Sequence, residues 1–274
     1  MNNISKDIIS HSHAGVLSCA AEARLVEEFD VSFKYIEYIA LDLDIRPARY
    51  QKNQNIFSNN DQLVLLNSHV VVVGCGRLGS SIIEQLARLG VGKLTVFDPD
   101  RIQGKKRHGK TMDDNKMMQI PKVSIVHERI KGINPAVEII PVQSAFDKNC
   151  RVKELHDVSV IIDTVDSIQT RIDLAGVCYE IGVPSINGKI ENWFDYVTTY
   201  MSEHSIINIS YNNRDSLANH GIMRTVNNLS SIHRVIMCFQ LSEVCRIILG
   251  KKLWKDKEML FVDTQMNEIK NITV

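Results

Sequence analysis

The sequence predicts an α/β fold: a Rossmann-like, doubly wound, mostly parallel sheet with antiparallel strands toward the C-terminus. Three observations predict it. Val71–Asp100, VVVGCGRLGSSIIEQLARLGVGKLTVFDPD, reads as strand, glycine turn, helix, strand. From Pro121 to Ile186, short apolar runs alternate with stretches of helical spacing. Beyond a long helical stretch, Met259–Asp263 and Glu268–Val274 have the form of a terminal hairpin.

In chain order, residues 1–48 carry the weakest pattern. Ala20–Glu28 has the length of a short helix, and Val31–Leu43 mixes apolar and aromatic residues in a pattern open to helix or strand. Ile45-Arg46-Pro47 marks a boundary, because a residue before proline is pushed out of helical geometry. We therefore expect an N-terminal extension over 1–48 and a nucleotide-binding domain over 49–274. The polar cluster Ser58-Asn59-Asn60-Asp61 is placed to cap a helix over Gln62–Asn67. In the unit that follows, Gly74, Gly76 and Gly79 stand in G-x-G-x-x-G spacing. The first permits a tight turn, the second lets backbone approach a phosphate, and the third lets the helix pack on its strand. Ile82, Ile83, Leu86 and Leu89 follow at helical spacing, and Leu94–Phe97 leads to Asp98, an acid placed to take a ribose hydroxyl.

Pro121–Ile133 reads as a helix with Val123, Val126 and Ile130 on one face, ended by Asn134-Pro135. Val137–Pro141 and Val158–Ile162 read as strands, Ser167–Ile181 as a helix and Val183–Ile186 as a short strand. Tyr196–Met201 suits the antiparallel part, and Asn228–Leu249 is a long helix stopped by Gly250. Residues 202–227 are rich in Asn, Ser, His and Arg with little periodicity. Such a length belongs to a lid, a partner-binding segment or a disordered stretch.

Composition narrows the function. Lys+Arg and Asp+Glu are equal at 32 each, so no global field favours nucleic acid or an anionic membrane. No apolar run approaches a membrane span, and the polar N-terminus lacks the apolar region of a signal peptide. The six cysteines form no C-x-x-C, which gives neither a zinc site nor a disulfide framework and suits a reducing cytoplasm. Cys75 reads as a small filler of the glycine turn. Cys238 and Cys245, seven apart, are expected to share a buried helical face.

Candidate ligand groups gather at predicted strand ends. Asp98, Asp163 and Asp166 are three acids there. Just past Asp100 come Lys105, Lys106, Arg107, His108 and Lys110, and Lys122 opens the next helix. In an open α/β sheet, ligands bind beyond the carboxyl ends of the strands. A glycine loop, a ribose acid, a lysine and an aspartate able to hold Mg²⁺ make a site for ATP as readily as for NAD. No second motif suggests a nicotinamide pocket.

Several linked stretches, in order, resemble the ThiF/MoeB/HesA family, the bacterial relatives of ubiquitin-activating E1 enzymes. These are Arg49-Tyr50-Gln51-Lys52-Asn53, the Gly74–Gly79 turn, Ala87–Asp100 with its D-x-D (Asp98 and Asp100), Pro121–Ile139 and Ile161–Ile190. The resemblance runs from Arg49 to Val274. It implies an E1-like fold that binds MgATP and converts the C-terminal carboxylate of a peptide or small ubiquitin-like protein into an acyl-adenylate. It implies that Gly74, Gly76 and Gly79 form the phosphate turn, that Asp98 binds ribose with Asp100 completing the nucleotide motif, that Lys122 contacts phosphates and that Asp166 holds Mg²⁺. It also implies a homodimer, with the opening motif's arginine reaching the neighbouring subunit's site. That position is Lys52 here, which keeps the charge but loses the planar fork. The family's phosphate-contacting arginine aligns with Gly109, and Arg107 is the nearest replacement. Arg77 stands where the family has a third glycine of the turn. Neither paired zinc-binding cysteines nor a transfer cysteine in 202–227 is present, so an acyl-adenylate would pass directly to an acceptor such as an amine. A non-catalytic partner or scaffold subunit of the same fold is the second expectation.

Overall fold

The computed structural model describes residues 3–102, 119–147, 155, 157–191, 194–200, 232–251 and 258–273. The N-terminal part comprises α1 (Asn3–His11), β1 (Ser12–His13), β2 (Val16–Leu17), α2 (Cys19–Phe29), α3 (Phe33–Asp42) and β3 (Arg46–Pro47). Ser18 and Ser32 cap α2 and α3 through their side chains, and this settles Val31–Leu43 as helix. Ile45-Arg46-Pro47 is more than a boundary, since Arg46–Pro47 pairs in parallel with β2 and closes a three-stranded sheet. Ile8, Leu17, Leu25, Ile36, Ala40 and Ile45 form this part's own apolar cluster.

A 3₁₀ turn over Ala48–Asn53 leads to α4 (Asn59–Leu66). Ser58 and Asp61 exchange hydrogen bonds in a capping box. The polar cluster expected ahead of this helix is therefore its N-cap and first turn. The main sheet and its helices follow: β4 (His69–Val73), α5 (Arg77–Leu89), β5 (Lys93–Phe97), α6 (Lys122–Ile133), β6 (Glu138–Val142), β7 (Val160–Asp163), α7 (Ile168–Ile181), β8 (Ser185–Glu191), β9 (Phe194–Tyr200), α8 (Ile232–Ile248), β10 (Glu258–Asp263) and β11 (Glu268–Thr273). The eight strands lie in the order β11-β10-β9-β8-β7-β4-β5-β6. The five from β8 to β6 are parallel and the other three antiparallel. β8 is longer than the expected Val183–Ile186. Asn187-Gly188-Lys189 breaks its apolar run, yet cross-strand pairing with β9 carries it to Glu191.

Every residue of β4 is buried, as a central parallel strand covered on both faces requires. Val70 and Val72 face one cluster with Ile82, Ile83, Leu86, Val126, Ile130 and Val244 from α5, α6 and α8. Val71 and Val73 face the other, with Leu174, Val177 and Cys178 of α7. Cys238 is exposed and Cys245 half-buried, so the shared buried face does not form. Seven residues advance a helix by 700°, 20° short of two full turns, but α8 sinks its inner stripe through Ile236, Gln240 and Val244 instead. Among the described residues, no helix is long and apolar enough to cross a membrane.

The N-terminal part joins the main sheet through a buried ionic cluster. Arg49 on the 3₁₀ turn pairs with Glu22 of α2 and with Glu37 of α3, the latter at 2.7 Å. Tyr50 donates its hydroxyl hydrogen bond to Glu37 at 2.7 Å. Asn134 after α6 donates to Tyr50 Oη and to the Ala87 carbonyl, both at 2.9 Å. Burial, then the Glu22 carboxylate alongside, push the Glu37 carboxyl up to about 8.

Candidate functional site

Strand order places the site. Going outward from β4, the chain turns one way through β5 and β6 and the other way through β7 and β8. The crevice beyond the carboxyl ends of β4 and β7 is therefore a topological switch point, where ligands bind in this architecture.

Gly74, Cys75 and Gly76 turn the chain there. Gly74 has φ of 106°, a conformation that side chains avoid, and a Cβ on it would stand 2.6 Å from Thr164 Oγ1. Thr164, the first residue past β7, donates to the Val73 carbonyl at 2.9 Å. A Cβ on Gly79 would meet the Gly74 carbonyl oxygen at 1.9 Å, so α5 docks on the turn only because position 79 is bare. Gly76 differs from both: a Cβ there would meet nothing within 4 Å. It is the N-cap of α5 and offers no side-chain cap. The first turn of α5 thus has no side-chain cap, and the place of a Gly76 side chain beside it is open, an arrangement suited to a phosphate.

Carboxylates and a lysine line the β5 side. Asp98 is 5% exposed. Its oxygens accept from the Cys75 N–H at 2.6 Å and the Asp100 N–H at 2.8 Å. Asp98 thereby ties the glycine turn to the next strand end. The Asp100 carboxylate, by contrast, is 61% exposed and pairs with Lys122 Nζ at 2.5 Å. Lys122 also stands 3.6 Å from Asp98. Burial pulls the Lys122 ammonium down, but Asp100 and Asp98 outweigh it and hold it above its ordinary value. The lysine is thus a fixed cation. Burial pushes the Cys75 thiol far up, so this cysteine fills space and is no nucleophile.

On the β7 side, Asp163 is buried and Asp166 exposed. Asp163 accepts from the Val165 N–H at 2.9 Å and from Asn187 Nδ2 at 2.6 Å, with Arg171 Nε 3.3 Å away. Burial raises the Asp163 carboxyl against the pull of Arg171. Arg171 also donates to the Val165 carbonyl through Nε and Nη2. These bonds fix the loop after β7, in which Asp166 is exposed. Sequence reading picked Asp163 and Asp166 but passed over Thr164 and Asn187. Neither belongs to a recognisable spacing, and both are defined by contacts across strands.

Lys52 is exposed on the 3₁₀ turn and makes no hydrogen bond or ion pair with other described residues. The structure does not bring it to the glycine turn of its own chain. Arg107 and Gly109, with Lys105, Lys106, His108 and Lys110, lie outside the described residues, as does 202–227. The stem of the first segment is described. Ile102 N–H donates to the Ile120 carbonyl and Gln119 N–H to the Ile102 carbonyl, both at 3.0 Å. The Lys122 N–H donates to the Asp100 carbonyl at 3.0 Å. The chain that carries Arg107 therefore leaves and re-enters beside Asp100 and Lys122.

Known proteins fit this architecture. A model of the ThiF family matches residues 50–274. Over 199 residues the chain is 28% identical to a SAMP-activating enzyme E1 of Haloferax volcanii, covering 73% of this chain and 74% of that one. Over 144 residues it is 30% identical to the molybdopterin-synthase adenylyltransferase of Salmonella typhimurium, covering 53% of this chain and 58% of the relative. Less than two thirds of that relative's length is thus spanned. Among solved structures, E. coli MccB with ATP superposes with a TM-score of 0.66 at 16% identity, covering 92% of this chain and 82% of that one. PaaA gives 0.63 at 16% identity, covering 92% and 74%. At such identities the structures speak for the fold. The family model adds the sequence-level match over the same sheet, turn and acids, and with it the conclusion that the chain belongs to the ThiF family.

Proposed function

We propose that the protein is an ATP-dependent adenylyltransferase that activates the C-terminal carboxylate of a peptide or a small ubiquitin-like protein. The observation that carries this reading is the uncapped first turn of α5, with the place of a Gly76 side chain open beside it, between the strand ends that lead to Asp100 with Lys122 and to Asp166. Relatives named as adenylyltransferases, and MccB structures holding ATP or MccA, support it.

In this reading the phosphates lie on the first turn of α5, with Lys122 as their fixed cation. An ammonium has three donors, so its bond to Asp100 leaves capacity for a phosphate oxygen. Asp98, expected to bind ribose, is buried with its oxygens accepting from the Cys75 and Asp100 N–H groups and shapes the turn from within; in this reading the ribose hydroxyls go instead to Asp100, the exposed member of the D-x-D. Asp166 would hold Mg²⁺, which supplies charge neutralisation at the triphosphate. The substrate carboxylate oxygen attacks the α-phosphorus, the bond to the bridging oxygen breaks, and pyrophosphate leaves. Cations and N–H groups held in place before the reaction stabilise the charge of that transition state. Arg107 replaces the family's arginine from a shifted position. Lys52 acts on the partner's site in a homodimer.

The test is isotope exchange. ATP, Mg²⁺ and labelled pyrophosphate are incubated with the protein and a panel of peptides with free C-termini. Peptide-dependent appearance of label in ATP is expected. Tight ATP binding without exchange for any candidate would favour the second reading, a non-catalytic partner subunit, which the glycine at position 109 motivates. Two substitutions sharpen the site. Asp166→Ala is expected to abolish the Mg²⁺-dependent part of ATP binding; retention of that part would remove Asp166 from the metal. Arg107→Ala is expected to slow exchange at least tenfold, and an undiminished rate would show that another group supplies the missing cation.

A further inference from the structure

The peptide unit between Gly74 and Cys75 is held at both ends by side chains from the two strands that flank β4. Its N–H, that of Cys75, donates to Asp98 beyond β5 at 2.6 Å. Its carbonyl, that of Gly74, accepts from the hydroxyl of Thr164 beyond β7 at 3.1 Å. The same hydroxyl stands 2.9 Å from the Val73 carbonyl, but that carbonyl already accepts from the Thr164 N–H at 3.0 Å. The Gly74 carbonyl has no such second donor among the described residues. Thr164 is therefore the group that satisfies it.

What that carbonyl would do otherwise follows from where it lies. A Cβ on Gly79 would come within 1.9 Å of it, so it rests against the first turn of α5. The first-turn N–H groups of a helix have no carbonyl of their own helix to bond. In α5 the Ser80 N–H bonds the Gly76 carbonyl at 3.0 Å, and the N–H groups of Leu78 and Gly79 come before it. Gly74 is four residues ahead of Leu78, the spacing at which a carbonyl closes a helical hydrogen bond. Its φ of 106° belongs to a residue with the freedom to make that turn. A Gly74 carbonyl without a donor would be costly beside the buried strand ends, and the nearest remedy is an N–H of this turn. Those N–H groups are the donors that the nucleotide reading assigns to phosphate.

We propose that Thr164 is a positioning residue of the nucleotide site: its hydroxyl engages the Gly74 carbonyl and so reserves the first-turn N–H groups of α5 for phosphate. This inference rests on the nucleotide part of the reading above and deepens it. Thr164 touches no phosphate itself and acts through the glycine turn. It also stands two residues ahead of Asp166, so one hydrogen bond joins the turn proposed for the phosphates to the loop proposed for Mg²⁺.

Equilibrium binding of ATP and of adenosine to three variants tests it. Thr164→Val keeps the branched shape and removes the hydroxyl. Thr164→Ala removes it without placing any atom against the turn, so it serves where the valine variant does not fold. Thr164→Ser keeps the hydroxyl. Losing one N–H bond to a charged phosphate is expected to raise the dissociation constant for ATP about tenfold in the valine and alanine variants. The constant for adenosine, which has no phosphate, is expected to stay within about twofold of the wild type, and serine to restore ATP binding to the same margin. Unchanged ATP binding without the hydroxyl would overturn the proposal. So would an equal loss for ATP and adenosine, the mark of a merely structural role, or a serine variant as weak as alanine. A wild type that binds no ATP would remove this proposal and the adenylation reading together. One that binds ATP but exchanges label with no peptide counts against adenylation alone, and the comparison of variants still decides the role of Thr164.

Discussion

Gly79→Ala is expected to cost the protein both its stability and its nucleotide, whereas Gly76→Ala should cost only the nucleotide. The two positions are three residues apart in one motif, but they meet different surroundings. A methyl group at position 79 would stand 1.9 Å from the Gly74 carbonyl oxygen and 2.7 Å from Thr164 Oγ1. The first is backbone, held by the turn, and cannot swing away. Relief requires α5 to lift from β4, along with Ile82, Ile83 and Leu86, which fill the core beneath it. Overpacking of this kind costs about 1–3 kcal/mol, and a backbone clash belongs at or above the upper end. At position 76 the methyl group meets nothing within 4 Å, and the backbone is extended. Its stability cost is the modest one of exchanging an N-cap residue, less than about 1 kcal/mol. The space it fills is the space proposed for phosphate, so ATP affinity should fall at least tenfold. Thermal melting together with equilibrium ATP binding separates the two effects. A Gly76→Ala protein that binds ATP like the wild type would move the phosphates off this turn.

Removing the guanidinium of Arg49 should be as damaging at the other end of the molecule. Arg49→Met leaves Glu22 and Glu37, both fully buried, facing each other with no cation between them. Breaking a buried pair by deleting one partner costs about 3–5 kcal/mol. The same cluster predicts a pH dependence of the wild type. Glu37 has its carboxyl raised to about 8 by burial and by Glu22, against an unfolded value near 4.5. A raised folded value means the native state binds the extra proton. Its stabilising contribution is complete below the unfolded value and is lost as pH rises through the window up to about 8. Urea unfolding at pH 5, 7 and 9 should show stability falling across that range. In Glu37→Gln, which keeps the Tyr50 hydroxyl within reach of an acceptor, most of that fall should vanish. A wild type with flat stability from pH 5 to 9 would contradict the buried, proton-holding arrangement.

Local chemistry made much of this protein legible. The valine run Val70–Val73 leading into Gly74 read as a strand, and the spacing of Gly74, Gly76 and Gly79 carried the turn and the start of α5. Ser18, Ser32 and Ser58 cap helices, yet only the cluster around Ser58 stood out beforehand, because it sits next to an apolar stretch. Residues 1–48 resisted reading for a physical reason. Their strands are two residues long, and their helices are stabilised by Glu22 and Glu37 reaching Arg49, a contact between residues 12 or more positions apart. β8 was read too short because Asn187 and Gly188 look like a break. Their polarity and bareness answer to Asp163 on the next strand and to Gln240 on α8, not to their neighbours in the chain.

Sheet class, glycine turn and family were all legible from the order of residues along the chain. These follow from short-range steric rules and from motifs whose order along the chain is their signal. Only the tertiary structure distributed the roles. Asp98 and Asp100 are two residues apart and look interchangeable on paper. In the fold, one is buried against the Cys75 and Asp100 N–H groups, and the other is exposed beside Lys122. Burial and hydrogen-bond saturation arise from what packs around a residue, so neighbouring acids acquire different chemistry. Gln240 is the extreme case, fifty-two residues from the glycine whose missing side chain it replaces. Its place becomes visible only when α8 and β8 are brought together.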